Sequence, residues 1–271
     1  MQVALAAEQL GVHATVFMPE GAALPKVAAT RGYGADVRFA GLTVDEALVA
    51  AQAFANDTGA VLVHPFDHPD VVSGQGTVGL EILAKMPDVR TVVVCTGGGG
   101  LLAGIAAAIA PVRPDVRIVG VQATDAAAYP PSLAAGSPVR LESMSTMADG
   151  IAVGRPGDVP FAIIQKLVDD IVTVSEEEIS RAVLQLLERS QLLDDQAGAA
   201  ATAPVLAHPD QLEPPVAIVL SGGNVDPLVL LRIIRHGLVA AGRFLTVQVR
   251  MSDRPGSLAR LLAVVQGTGS N

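Results

Sequence analysis

Four consecutive glycines, Gly97 to Gly100, follow the β-branched run Thr91-Val92-Val93-Val94 with its end Cys95-Thr96, and lead into the apolar stretch from Leu101 to Ala110. Residues without a Cβ let successive backbone N–H groups turn to one side. A helix beginning there adds its own unpaired N–H groups and the positive end of its dipole. Such a strand, loop and helix make a seat for an anion, and a cofactor phosphate is the anion expected. Three readings of the loop compete. A nucleoside-triphosphate loop requires Gly-Lys followed by Ser or Thr, and the chain has no Gly-Lys pair, which excludes it. A dinucleotide fingerprint survives as Gly98-x-Gly100-x-x-Ala103. The acid it requires after the next strand is replaced by Gln122, with Asp125 as the nearest stand-in. The third reading is a glycine turn with no ligand.

A second turn has the same design. Val216-Ala217-Ile218-Val219-Leu220 is a buried-strand pattern ending in Ser221-Gly222-Gly223-Asn224, ahead of another apolar helix. Two such turns on parallel strands open on one edge of the sheet, where open α/β sheets bind ligands.

The elements that must position these turns alternate along the chain. Residues 1–11 read as a helix stopped by Gly11, with no residue to cap its start. Strands are expected over 14–18, 35–39, 60–63, 91–95, 116–121 and 171–174. Helices are expected from Pro25 to Gly32, Thr43 to Thr58, about Gly76 to Lys85, Leu101 to Ala110 and Asp158 to Val168. Ser175-Glu176-Glu177-Glu178 opens a further helix through Arg189 with a capping box, its glutamates favoured by the helix dipole rather than gathered for a metal. This alternation predicts parallel sheets with helices on both faces. After the break at 237–242, Phe244 to Arg250 alternates like a strand with one wet face, and a helix follows over 258–265.

Composition bounds the partners. Half of the 271 residues are apolar, enough for a sizeable core. The net charge is −9 with basic residues scattered singly, so neither nucleic acid nor an anionic membrane is an expected partner. No stretch reaches the ~18 apolar residues of a membrane span. Cys95, the single cysteine, reads as an inert core thiol, and a reducing cytoplasm is the expected location.

Four motifs in order carry a resemblance over essentially the whole chain: His64-Pro65-Phe66-Asp67 with Gly74-Gln75-Gly76-Thr77; Thr96-Gly97-Gly98-Gly99-Gly100-Leu101; Ala148-Asp149-Gly150-Ile151-Ala152; and Leu220-Ser221-Gly222-Gly223-Asn224. With them the chain resembles the fold type II pyridoxal-phosphate enzymes, most closely the threonine ammonia-lyases with a C-terminal ACT-like domain. The resemblance implies pyridoxal 5′-phosphate as cofactor. Backbone N–H groups of Gly97, Gly98, Gly99, Gly100 and Leu101 would hold its phosphate. The Ser221 hydroxyl would sit at its pyridine nitrogen and the Gly150 backbone beside its ring, with Asp149 a structural hydrogen-bonding partner. It implies conversion of L-threonine to 2-oxobutanoate and ammonia in isoleucine biosynthesis. A serine or hydroxy-amino-acid dehydratase or racemase is the alternative within the class. Asp195 matches the family's glutamate in substrate contact, one methylene shorter, and Arg250 to Leu258 is similar to the start of an ACT domain, with Asp253 and Gly256 near its amino-acid effector loop. A homo-oligomer is implied as well.

The chain departs from the family in its catalytic lysine. Its only lysines are Lys26, Lys85 and Lys166, none in the Ser-x-Lys-x-Arg-Gly-Ala setting, and the Ser-x-Gly-Asn-His loop is missing too. No catalytic residue is therefore assigned, and a chain shortened at both ends and inactive alone is expected. A non-catalytic cofactor- or partner-binding remnant is the alternative of another class. Gln122 and Ala128 stand where racemase relatives bind a divalent cation through acids, so no metal is expected. The histidines offer none: Pro65 and Pro69 prevent His64 and His68 from pairing on a helix, while His13, His208 and His236 stand alone. The implied organisation is a remnant of a smaller cofactor domain over 1–62, a larger cofactor-binding domain over 63–241, and a partial ACT-like module over 243–271.

Overall fold

The computed structural model describes residues 1–223, 225, 227–245 and 247–268; Asn224 of the second glycine turn lies outside the described residues. The N-terminal part alternates α1 (Gln2–Leu10), β1 (Thr15–Met18), α2 (Leu24–Gly32), β2 (Asp36–Phe39) and α3 (Val44–Thr58). Strands β1 and β2 pair in parallel, from Thr15 opposite Asp36 to Met18 opposite Phe39. α3 starts where the sequence places it, because Thr43 and Glu46 form a reciprocal capping box.

A second parallel sheet follows. Its parts are α4 (Pro69–Lys85), β3 (Thr91–Cys95), α5 (Gly100–Ile109), β4 (Arg117–Ala123), α6 (Tyr129–Ala135), α7 (Asp158–Leu167), β5 (Asp170–Val174), α8 (Glu176–Gln185), α9 (Gln196–Ala199), α10 (Ala203–Ala207), β6 (Val216–Val219) and α11 (Pro227–Ala240). The strand order is β5-β4-β3-β6, and all three pairings are parallel. Both faces are covered, which is why β3 is β-branched without alternation. Val92 and Val94 point into the cluster with Leu102, Ile105, Phe161 and Ile164, whereas Val93 and Cys95 point into the one with Ile179, Val183, Ala199 and Ile233. The expected α/β architecture with helices on both faces is the one observed.

Four expectations are corrected. Residues 60–63 form no strand; Val61 is 90% exposed, with no neighbouring strand to receive its ladder bonds. α4 begins at Pro69 rather than near Gly76, since Pro69 suits a first helical position and the His68 imidazole accepts from Asp70 N–H (3.2 Å). The helix from Ser175 is regular only to Gln185 and passes into a π-helical turn over Leu186–Ser190. The described residues of 244–250 form no strand: alternation can choose a face, but a strand also needs a partner, and Leu245 and Val247 are exposed. The helix after them, α12 (Ser257–Gly267), is present.

Candidate functional site

The two glycine turns leave adjacent strands at the same edge. β3 and β6 run side by side with Val94 opposite Val219, so Thr96-Gly97 and Leu220-Ser221 emerge together at the carboxyl end of the sheet. Among the described residues, no protein acceptor receives a backbone N–H from Gly97, Gly98, Gly99, Gly100, Leu101 or Leu102; the first amide of this run to be paired is that of Ala103, donating to Gly99 O (2.8 Å). Those six N–H groups at the start of α5 are what an anion requires.

The back of the loop is tied to the scaffold. Thr96 N–H donates to Val121 O (2.8 Å), and Gly157 N–H donates to Gly98 O (3.1 Å). Tyr129 Oη donates to the same Gly98 O (3.2 Å). Gln122, fully buried on β4, donates from Nε2 to Thr96 O (3.2 Å) and accepts Tyr129 N–H at Oε1 (2.9 Å). Gln122 therefore acts as a cross-brace, with both ends of its amide spent inside. Burial, with Asp67 adding to it, pushes the Tyr129 phenol far above its ordinary range and keeps it a neutral donor. The sequence reading missed this brace, although Pro130-Pro131 and Gly136 were available as start and stop signals for α6.

The His64 to Asp67 motif proves to be scaffold. The imidazole Nδ1 accepts from Asp67 N–H (2.8 Å), and Asp67 Oδ1 accepts from Val159 N–H at the start of α7 (2.8 Å). Burial lowers the imidazole's pKa and favours this neutral acceptor form. Phe66 packs so closely that a Cβ on Gly98 would overlap its ring.

The remaining predicted residues arrive from three directions. Ile151 lies against Gly97, where a Cβ would come within 3.0 Å of Ile151 Cα, and Gly150 lies against α9, where a Cβ would come within 2.8 Å of Ala197 Cβ. Asp149 contributes its backbone carbonyl, which accepts from Ala152 N–H (3.3 Å), and its side chain forms no hydrogen bond with the described residues. Asp195 caps α9 through Gly198 N–H (3.0 Å) and accepts Gly223 N–H (3.2 Å) at its other oxygen. The Ser221 hydroxyl is exposed and unbonded among the described residues. One edge thus gathers Gly97 to Leu101, Gly150, Asp195 and Ser221. Asp253 and Gly256 are not brought there; both stand on the exposed stretch before α12.

Cys95 is buried, and its thiol is pushed up to about 12 by burial first and then by the charges of Asp194 and Asp195. A buried, protonated thiol suits the core role expected of it. Lys85 pairs with Glu81 on the outer face of α4 (3.6 Å), Lys166 is exposed near the end of α7, and Lys26 occupies the first turn of α2. No group of three or more potential metal ligands converges among the described residues.

Comparisons with known proteins identify the family. The family described as "Pyridoxal-phosphate dependent enzyme" matches residues 1–222. This chain belongs to that family. Within it, the chain is 46% identical over 269 residues to an L-threonine ammonia-lyase of Thermotoga maritima and 47% identical over 270 residues to one of Geobacter sulfurreducens, covering 99% of itself and 67% of each relative. Among solved structures it is similar to the processed form of threonine deaminase isoform 2 from Solanum lycopersicum, with a TM-score of 0.81 and 34% identity over 86% of this chain and 69% of that one. Membership makes pyridoxal phosphate the family's cofactor and the two-sheet architecture the fold type II arrangement. No helix among the described residues is long and apolar enough to cross a membrane.

Proposed function

We propose that this chain forms the cofactor-binding body of a threonine ammonia-lyase that converts L-threonine to 2-oxobutanoate and ammonia. The reading is carried by the six N–H groups of Gly97 to Leu102 without protein acceptors among the described residues, opening on the same edge as the Ser221 hydroxyl. The first set suits a phosphate, and the second suits a pyridine nitrogen. The names of the Thermotoga and Geobacter relatives supply the substrate. When bound, pyridoxal phosphate supplies an electron sink for negative charge at the substrate's α-carbon.

The chain's own residues bind and orient. Gly97 to Leu101 would hold the phosphate through backbone donors. Gly150 brings its backbone to the ring, the crowding by Ala197 leaving no room for a larger residue. Ser221, a hydroxyl rather than an acid, would not hold the pyridine nitrogen protonated, which would moderate the sink and favour β-elimination over transamination. Asp195 holds the Gly223 end of that turn. None of Lys26, Lys85 and Lys166 is assigned the amine that bonds the cofactor aldehyde.

The reading extends to domains over 1–62, 63–241 and 243–271, the last an ACT-like regulatory module taking an amino-acid effector near Asp253 and Gly256. It also places the enzyme as a cytoplasmic homo-oligomer of isoleucine biosynthesis. Calorimetric titration with pyridoxal phosphate is expected to show saturable binding and a raised Tm, with no visible band that borohydride abolishes; such a band would assign the amine to this chain. Elimination rates on threonine and serine, measured with a Ser-x-Lys-x-Arg-Gly-Ala segment joined to the chain, test the substrate. A preference for serine rejects threonine, and no turnover of either leaves a non-catalytic binding protein.

A further inference from the structure

The turn that carries Ser221 is held by two adjacent carboxylates of different character. Asp195 is half-buried, and its two oxygens accept from Gly198 N–H and Gly223 N–H. Asp194 is 4% exposed; its Oδ1 accepts from Asp195 N–H (2.9 Å), while its Oδ2 is buried with no partner among the described residues. A Cβ placed on Gly222 would overlap Oδ1 of both, so the two carboxylates close on one point of the turn. Two full negative charges there would repel each other in a poorly hydrated place, with one oxygen left unsatisfied. Among the described residues, what acts on Asp194 is burial, the charge of Asp195 and the Asp195 N–H, with no cation. The charged or titratable groups that face Asp194 are Asp195 on its own segment and Cys95 on β3, while Asp149, from the turn over 149–151, faces Asp195.

We propose, on the reading of Ser221 given above, that Asp194 is a positioning residue for this turn. In its neutral form it lets Asp195 alone hold the Gly223 N–H and keeps Ser221 beside the Gly97–Gly100 loop. In its ionised form it loosens that hold. Burial raises the Asp194 carboxyl to about 6, the charge of Asp195 adds to the rise, and the Asp195 N–H opposes it. The exchange of forms therefore falls in a range that a cell or a buffer can reach.

The test uses two probes on the 271-residue chain. Pyridoxine 5′-phosphate carries the phosphate and the pyridine nitrogen but no aldehyde, so it needs no lysine; sulfate fills the anion loop alone. Affinities are measured for the unmutated chain and for Asp194→Asn at about pH 5 and about pH 8. The variant has a permanently neutral side chain, and both proteins share the probe's own titration. The expected result is equal affinity for pyridoxine phosphate at the lower pH and about tenfold weaker binding by the unmutated chain at the higher pH, with sulfate binding the same in both. A ratio between the two proteins that does not change with pH overturns the proposal while leaving the cofactor reading intact. Sulfate binding with no gain for pyridoxine phosphate at either pH rejects the cofactor reading of the turn, and the proposal with it. If Asp194→Asn does not fold, hydrogen exchange of the Gly222 and Gly223 amides in the unmutated chain decides. Protection that falls at the higher pH, after correction for intrinsic rates, supports the proposal, and unchanged protection overturns it.

Discussion

At the scale of single residues, the anion loop depends on what lies behind it. Gly99 has a φ of +97°, and a Cβ there would overlap Tyr129 Oη, so Gly99→Ala meets both backbone strain and a clash. It is expected to lower unfolding free energy by about 3 kcal/mol or more in urea titrations. Tyr129→Phe removes one donor from Gly98 O but leaves the bond from Gly157 N–H, and should cost only about 1 kcal/mol by the same measurement. Asp194 makes a prediction of opposite sign. Its carboxyl is raised in the folded chain, so the fold binds a proton that the unfolded chain has already released. Its contribution is fully present below the ordinary carboxylate value of about 3.9 and is lost as pH rises through about 6. Asp194→Asn should therefore unfold at a higher Tm than the unmutated chain near neutral pH, by the equivalent of about 2 kcal/mol, with the gap closing at about pH 4. A gap that widens in acid would contradict this assignment.

At the scale of elements, close approach and capping set the geometry. α4 and α5 touch through glycines: a Cβ on Gly104 would overlap Val72 O and sit 2.8 Å from Gly76 N, so Gly104→Ala must push the helices apart. A loss of about 3 kcal/mol, read by chemical denaturation, is expected, along with weaker sulfate binding, because α5 carries the anion loop on its first turn. Thr43→Ala removes a capping box from an exposed helix end and should cost about 1 kcal/mol. These elements also show what kind of sequence signal survives folding. Ser175 with Glu178 was readable because a capping box is satisfied by its own residues, and the box of Thr43 with Glu46 follows the same rule at the start expected for α3. The start of α4 was hidden because Asp67 and His68, read as loop residues, are held by bonds that include one to the far α7. Residues 60–63 and 244–250 have strand patterns, yet among the described residues no strand lies beside them to complete a ladder.

At the scale of the whole molecule, ligand binding and stability are linked. Sulfate at a hundredfold excess over its dissociation constant should stabilise the fold by about 2.7 kcal/mol if it binds only the folded loop, which a thermal shift series measures. The loop itself was legible in the sequence. A β-branched strand buried on both faces, four glycines and an apolar helix are the local pattern of an anion seat, and the strand and glycine turn ending in Ser221 repeat that design. The charge balance, the single cysteine and the alternation of strands and helices from β3 to α5, β4, α7, β5 and α8 were determined at the same level. Only the tertiary structure decided that Gln122 and Tyr129 brace the loop from behind, that His64 and Asp67 serve as scaffold, and that Asp194 and Asp195 meet at Gly222. Each of these depends on residues far apart in the chain, or on burial that raises the cost of an unpaired charge, and neither the spacing nor the type of a residue along a sequence carries that information.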